Sequence, residues 1–215
     1  MAQRYLLHAI QPGAPLARWV ELKMSGTIKA KADAPWMPLQ AIQILTPGRG
    51  FVWKAKAKAG PIFLRVTDHY ADRNGRMRIT LLGLLPIVNA SNPDIAKSAA
   101  GRLLAESCWL PTTFLPQHGA VWKEMDSLHA EVTLTVDDLT TTLTLTMDEE
   151  GRPKEVILPR WEDSLRAFVP FGVVIEEEQK FDGYTIPSRL RGGWWYGTEQ
   201  YNEFVRFTIE QAMFH

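Results

Sequence analysis

The chain has 215 residues, with 24 basic and 24 acidic side chains, so its formal net charge is zero. A chain of this length buries enough surface to fold without a disulfide or metal staple, and residues 1–215 read as one domain. Eight Trp, nine Phe and five Tyr exclude a disordered chain, and the charge balance argues against an electrostatically driven nucleic-acid binder.

Residues 2–10 have helical character and end before Gln11-Pro12-Gly13. The apolar part, 5–10, is too short for the core of a signal peptide and carries His8. From Leu16 the pattern turns to period two: Val20, Leu22 and Met24 alternate with polar neighbours, the mark of a half-buried strand. Residues 39–45 repeat that pattern, and PGRG (47–50) turns the chain into FVWKAKAKA (51–59). There Phe51, Trp53, Ala55 and Ala57 share one face and Lys54, Lys56 and Lys58 the other. Residues 62–70 and 76–82 form a hairpin around Asp72-Arg73-Asn74-Gly75. The apolar run LLGLLPIV (81–88) is far below the ~18 residues of a membrane span and contains Pro86. A cytoplasmic protein with no transmembrane segment is therefore expected.

One long helix follows. Asn92 is its N-cap, Pro93 its first residue, and Asp94 complements the positive helix end. Its body runs over 94–109 and stops at Leu110-Pro111, with Ile95, Ala99, Leu103 and Ser107 on one stripe. Strands resume at 129–136 and 139–147, where Thr alternates with apolar residues, and continue at 155–159, 173–181, 185–195 and 204–212. Asp182-Gly183 marks a tight hairpin. The elements add up to a mainly β fold: a curled antiparallel sheet, or unclosed half-barrel, of about ten strands with a helix across its concave face.

Three segments, LTPGRGFVWKA (45–55), SAAGRLLAESCWLP (98–111) and FDGYTIPSRLRGGWWYGT (181–198), resemble an uncharacterised bacterial family of unknown function. The succession of hairpins, crossing helix and a late strand reading GYTIPSRLR is similar in architecture to the bacterial lipoprotein-carrier proteins. That resemblance implies an unclosed β-barrel with helices over its mouth, binding acyl chains inside. Such carriers are exported, whereas this chain shows no signal peptide.

Catalytic motifs are scarce. The five histidines are far apart and have no zinc-ligand spacing, so no metal and no cofactor is expected. Ser98 and Ser107 lack a nucleophile-elbow context, and Cys108 at a helix C-terminus reads as a structural thiol. PGRG and RGG lack phosphate-loop spacing. Arg189 and Arg191 beside Trp194, Trp195 and Tyr196 look like a nucleic-acid stacking platform, but the neutral charge weighs against it. Asp68 and Arg78 on facing strands make either an ordinary ion pair or the clamp for a polar head group. Arg102 and Glu106, at i and i+4, make either a helix salt bridge or a pair facing a cavity.

The leading reading is binding of an apolar or lipid-like small molecule in the concavity. Its candidate ligand-binding residues are Trp53, Phe63, Asp68, Tyr70, Arg78, Arg102, Glu106, Trp109, Trp122, Trp194 and Trp195. The alternatives are an enzyme of unrecognised class around Asp68, His69, Arg78 and Glu106, and an interaction module using exposed aromatics.

Overall fold

The period-two alternation becomes one continuous antiparallel sheet. A computed structural model describes residues 1–215 and places thirteen strands in it. The first six are β1 (Val20–Ile28), β2 (Met37–Thr46), β3 (Gly50–Ala59), β4 (Ile62–Ala71), β5 (Asn74–Leu81) and β6 (Leu85–Ala90). The other seven are β7 (Val121–Glu124), β8 (His129–Val136), β9 (Leu139–Met147), β10 (Pro153–Glu162), β11 (Ala167–Phe181), β12 (Tyr184–Trp194) and β13 (Asn202–Phe214). Their spatial order is β6-β5-β4-β3-β2-β1-β13-β12-β11-β10-β9-β8-β7. Two meanders therefore join where β1 pairs with β13, and β6 and β7, consecutive in the chain, lie at opposite edges. The chain has to cross from one edge to the other, and that crossing is made by the helix read from Asn92.

α1 (Ala2–Ala9) packs Tyr5 edge-to-face on Phe114 at 5.2 Å. α2 (Pro93–Ala105) starts where Asn92 Oδ1 accepts a hydrogen bond from the Ile95 N–H at 2.9 Å. It ends four residues before the sequence reading, because the chain tightens into 3₁₀ turns over Glu106–Trp109, Pro111–Phe114 and Pro116–His118. A sheet this wide has to curl, and register shifts beside Lys23 and Gly192 help it bend. The concave face and the crossing segment share one buried apolar cluster that includes Leu22, Phe51, Trp53, Leu103, Trp109, Phe114, Val132 and Phe207. Lys54, Lys56 and Lys58 point out from the convex face.

Mainly β, curled and crossed by a helix, the architecture matches the sequence reading, with thirteen strands in place of about ten. The two strands absent from that reading are the two edges. β6 contains Pro86 and is mostly exposed, and β7 has four residues, so neither shows the alternation of a half-buried strand. The run LLGLLPIV is thus surface, with Leu82, Leu84 and Leu85 61%, 85% and 61% exposed. No helix is long and apolar enough to cross a membrane. The fold itself lends no support to the cytoplasmic placement.

Candidate functional site

α2 carries Arg102 down into the apolar concavity, and three side chains of different elements meet it. Arg102 Nε donates to Glu106 Oε1 at 2.7 Å, Nη1 to Asp68 Oδ2 at 2.8 Å, and Nη2 to Gln43 Oε1 at 3.2 Å. Gln43 Nε2 then donates to Glu106 Oε2 at 2.7 Å and closes the ring. The side chains of Arg102, Asp68 and Glu106 are only 13%, 7% and 12% exposed. The guanidinium also lies 4.7 Å from the Phe51 ring centre and 4.9 Å from that of Trp53. Burial works against its charge, but Glu106 and then Asp68 outweigh this and hold its pKa above the ordinary arginine value. Trp53 Nε1 is buried with no acceptor.

Of the candidate residues, Asp68, Arg102, Glu106 and Trp53 therefore converge. Trp109 lies beside them, its ring 6.1 Å from Phe207 and its Nε1 donating to the Pro187 carbonyl at 3.1 Å. Trp194 packs edge-to-face on Phe171 at 5.0 Å further along the same face. Tyr70 is buried and donates to Asp137. The rest lie elsewhere. Asp68 pairs in register with Met77, not with Arg78, which sits opposite Thr67 and is exposed. The side-chain period of two sends His69 and Arg78 to the convex face, away from Asp68, so the four residues of the enzyme alternative do not meet. Phe63 is 39% exposed under the Lys56 ammonium. Trp122, on the edge strand β7, is half-buried against Tyr5 and Phe114. Trp195 follows β12 in a bend, with φ +59°, and is half-buried.

Two buried polar residues of the concave face are not among the candidates read from the sequence: Gln43, which closes the ring, and Arg160, whose Nε donates to the Ser98 carbonyl of α2. Each is a polar residue in the buried phase of a strand: Leu39, Ala41, Gln43, Leu45 in β2, and Val156, Leu158, Arg160 in β10. That break in phase was the available signal.

Two recesses lie outside the concavity. One, of about 350 Å³, holds His8, Arg152, Lys154 and Glu178. The other, of about 610 Å³, is a saddle on the convex face with Lys23, Lys54, Lys56 and Arg65. No three His, Cys, Asp or Glu side chains converge as a metal site.

Residues 1–214 match the model of a family described as a family of unknown function. No curated protein matches the sequence. Similar solved structures include a domain named for outer membrane lipoprotein sorting from Vibrio parahaemolyticus, 9% identical with a TM-score of 0.48, covering 92% of this chain and 85% of that one. A LolA superfamily protein from Nitrosomonas europaea is 10% identical with a TM-score of 0.45, covering 100% and 91%. A DUF1329 family protein from Desulfovibrio piger is 10% identical with a TM-score of 0.42, covering 92% and 86%.

Proposed function

The chain belongs to the DUF6920 family, a family of unknown function, so its role has to be argued from its own residues, and we propose that it binds an apolar or amphipathic, lipid-like small molecule in the concave face beneath α2. The observation that carries this reading is the way α2 is fastened. Over an apolar sheet face, the helix is tied down by a buried ionic ring of Arg102, Asp68, Gln43 and Glu106. A helix with a purely structural task is held as well or better by apolar side chains, because buried ion pairs lose much of their attraction to desolvation. Charged groups regain water when the helix lifts, which lowers the cost of opening. Lifting Arg102 with the helix uncovers the Phe51 and Trp53 rings it lies against, with the unpartnered Trp53 N–H as a polar handle.

In the closed state the concavity is filled by side chains, so the ligand takes the place of α2 contacts and does not enter an empty chamber. In this reading the ring of Asp68, Arg102 and Glu106 holds α2 over the site, and Trp53, Trp109 and Trp194 line the apolar part. The test is titration of the full chain with cis-parinaric acid, together with native mass spectrometry of the purified protein. A saturable one-to-one complex is expected. Fluorescence that rises without saturating, and a protein that carries no adduct, overturn the reading.

A further inference from the structure

One charge in the concavity has no acidic partner. Arg160 continues the buried phase of β10 after Val156 and Leu158 and is only 9% exposed. Two rings pack against its guanidinium, Phe171 at 4.8 Å and Trp194 at 4.7 Å from Cζ, and because they also touch each other at 5.0 Å they lie on the same side of it. Its one hydrogen bond is a long one, from Nε to the Ser98 carbonyl of α2 at 3.4 Å. Neither terminal nitrogen has a partner within the protein, yet neither is sealed from solvent. Asp68 and Glu106, the acidic groups deep in the concavity, are each taken by Arg102, and Asp163 acts on Arg160 only from a distance.

We propose that Arg160 receives the oxyanion head, a carboxylate or a phosphate, of the ligand bound under α2. This rests on the reading of the concave face as a ligand site and specifies the ligand's charge. A guanidinium whose only protein hydrogen bond runs from Nε keeps the edge with its two terminal nitrogens for a ligand, and that edge matches two coplanar oxygens. A buried cation without a counter-charge is costly, and an arriving anion removes that cost. Arg102 cannot serve in this way, because its donors are already spent on Asp68, Glu106 and Gln43. Burial, and next the like charge of Arg102, bring the Arg160 guanidinium down to about 10, so it is still a cation at neutral pH. α2 is also thin above it. At Gly101 an added Cβ would stand 3.0 Å from Arg160 Cγ, so glycine keeps the helix backbone close without crowding the side chain.

The experiment compares tails of equal length and different heads on the full chain at neutral pH: oleate, 1-oleoyl lysophosphatidic acid and oleyl alcohol, with inorganic phosphate alone as a fourth arm. The readout is the affinity ratio of each anion to the alcohol. Wild type is expected to prefer oleate or the lysophosphatidate by roughly tenfold or more, and R160Q to bring that ratio close to one. R160K keeps the charge but loses the fork, and is expected to fall between them, which covers the case of a poorly folded R160Q. Phosphate that binds wild type but not R160Q also supports the site and identifies a free anion as sufficient. Equal ratios in wild type, R160K and R160Q, with the alcohol still bound, overturn the anion site and leave the lipid reading standing. If none of the tailed compounds binds, both fall.

Discussion

The Tyr70 hydroxyl donates a 2.5 Å hydrogen bond to Asp137 Oδ2, joining β4 to the turn between β8 and β9. In the order of the sheet these strands belong to opposite wings, so this one bond ties the wings together across the concave side. Arg73 and Asp138 pair alongside at 2.9 Å, but both are largely exposed. Burial, and then Asp137, push the Tyr70 phenol well above its ordinary value, so the group stays protonated and remains a donor throughout the working pH range.

Tyr70→Phe is therefore expected to lower stability by about 1 kcal/mol in urea unfolding, while Arg73→Ala stays within about 0.5 kcal/mol of wild type. A Tyr70→Phe protein with an unchanged midpoint removes the clasp from the account.

The ionic ring under α2 makes a contrast between single and combined substitutions. Arg102→Met leaves the nearly buried Asp68 and Glu106 without a counter-charge, and should cost about 3–5 kcal/mol. Adding Asp68→Asn and Glu106→Gln removes those charges and should restore most of the loss. Chemical denaturation of the single and triple variants decides this, and a triple variant as unstable as the single one rules out unpaired charge as the cause.

The strands of the sheet interior were legible because one face is buried along their length, as Phe51, Trp53, Ala55 and Ala57 show against Lys54, Lys56 and Lys58. The α2 start was equally legible, since Asn92, Pro93 and Asp94 act locally. The site was only half legible. Arg102 with Glu106 follows from helical spacing, but the partner of Asp68 depends on register and on which element crosses above it. Asp68 meets Arg102, distant in sequence, where the hairpin alone suggested Arg78. Gln43 and Arg160 were visible as polar breaks in an apolar phase, but their partners were not. No local pattern marks which edge strands will close a sheet, which is why β6 and β7 escaped.

Gly75 sets the distance between β5 and α2. A Cβ there would lie 2.6 Å from Ala96 Cα, against backbone that cannot swing aside. Gly75→Ala is expected to push the N-terminal half of α2 off the sheet and to cost about 1–3 kcal/mol. Hydrogen exchange should show the added opening in the first turns of α2. Protection equal to wild type there would mean the strand, not the helix, gives way.

The α1 end of the molecule has a pH response of definite sign. His8 Nε2 lies 3.2 Å and 3.0 Å from the two Glu178 oxygens, and Arg152 and Lys154 face the same recess. Burial still outweighs these neighbours and holds the Glu178 carboxyl above its ordinary value. A carboxyl that binds its proton more tightly when folded contributes stability below the usual glutamate pKa of about 4.3, and that contribution fades as pH rises through the raised value. Glu178→Gln removes this dependence, so the variant should gain on wild type as the pH of urea unfolding goes from about 4 to about 7. A constant difference over that interval contradicts the assignment.

Cys108 gives a direct measure of α2 movement. It follows α2 in the first 3₁₀ turn, is 3% exposed, and its thiol lies 3.7 Å from the Ala105 carbonyl that accepts its hydrogen bond. Burial, and next the charge of Glu106, push the thiol up to about 12. At about pH 8 the thiolate is therefore scarce in the folded protein, whereas a sizeable fraction of the unfolded chain carries it. Labelling by a disulfide reagent should therefore be slow in wild type and should proceed through opened states. If those states are a lifting of α2 and not global unfolding, Arg102→Met accelerates labelling strongly while the rate stays nearly independent of low urea concentrations, since a local opening exposes little surface. A rate that climbs with urea as steeply as the unfolding constant itself assigns the exposure to whole-molecule unfolding and denies α2 the part of a lid.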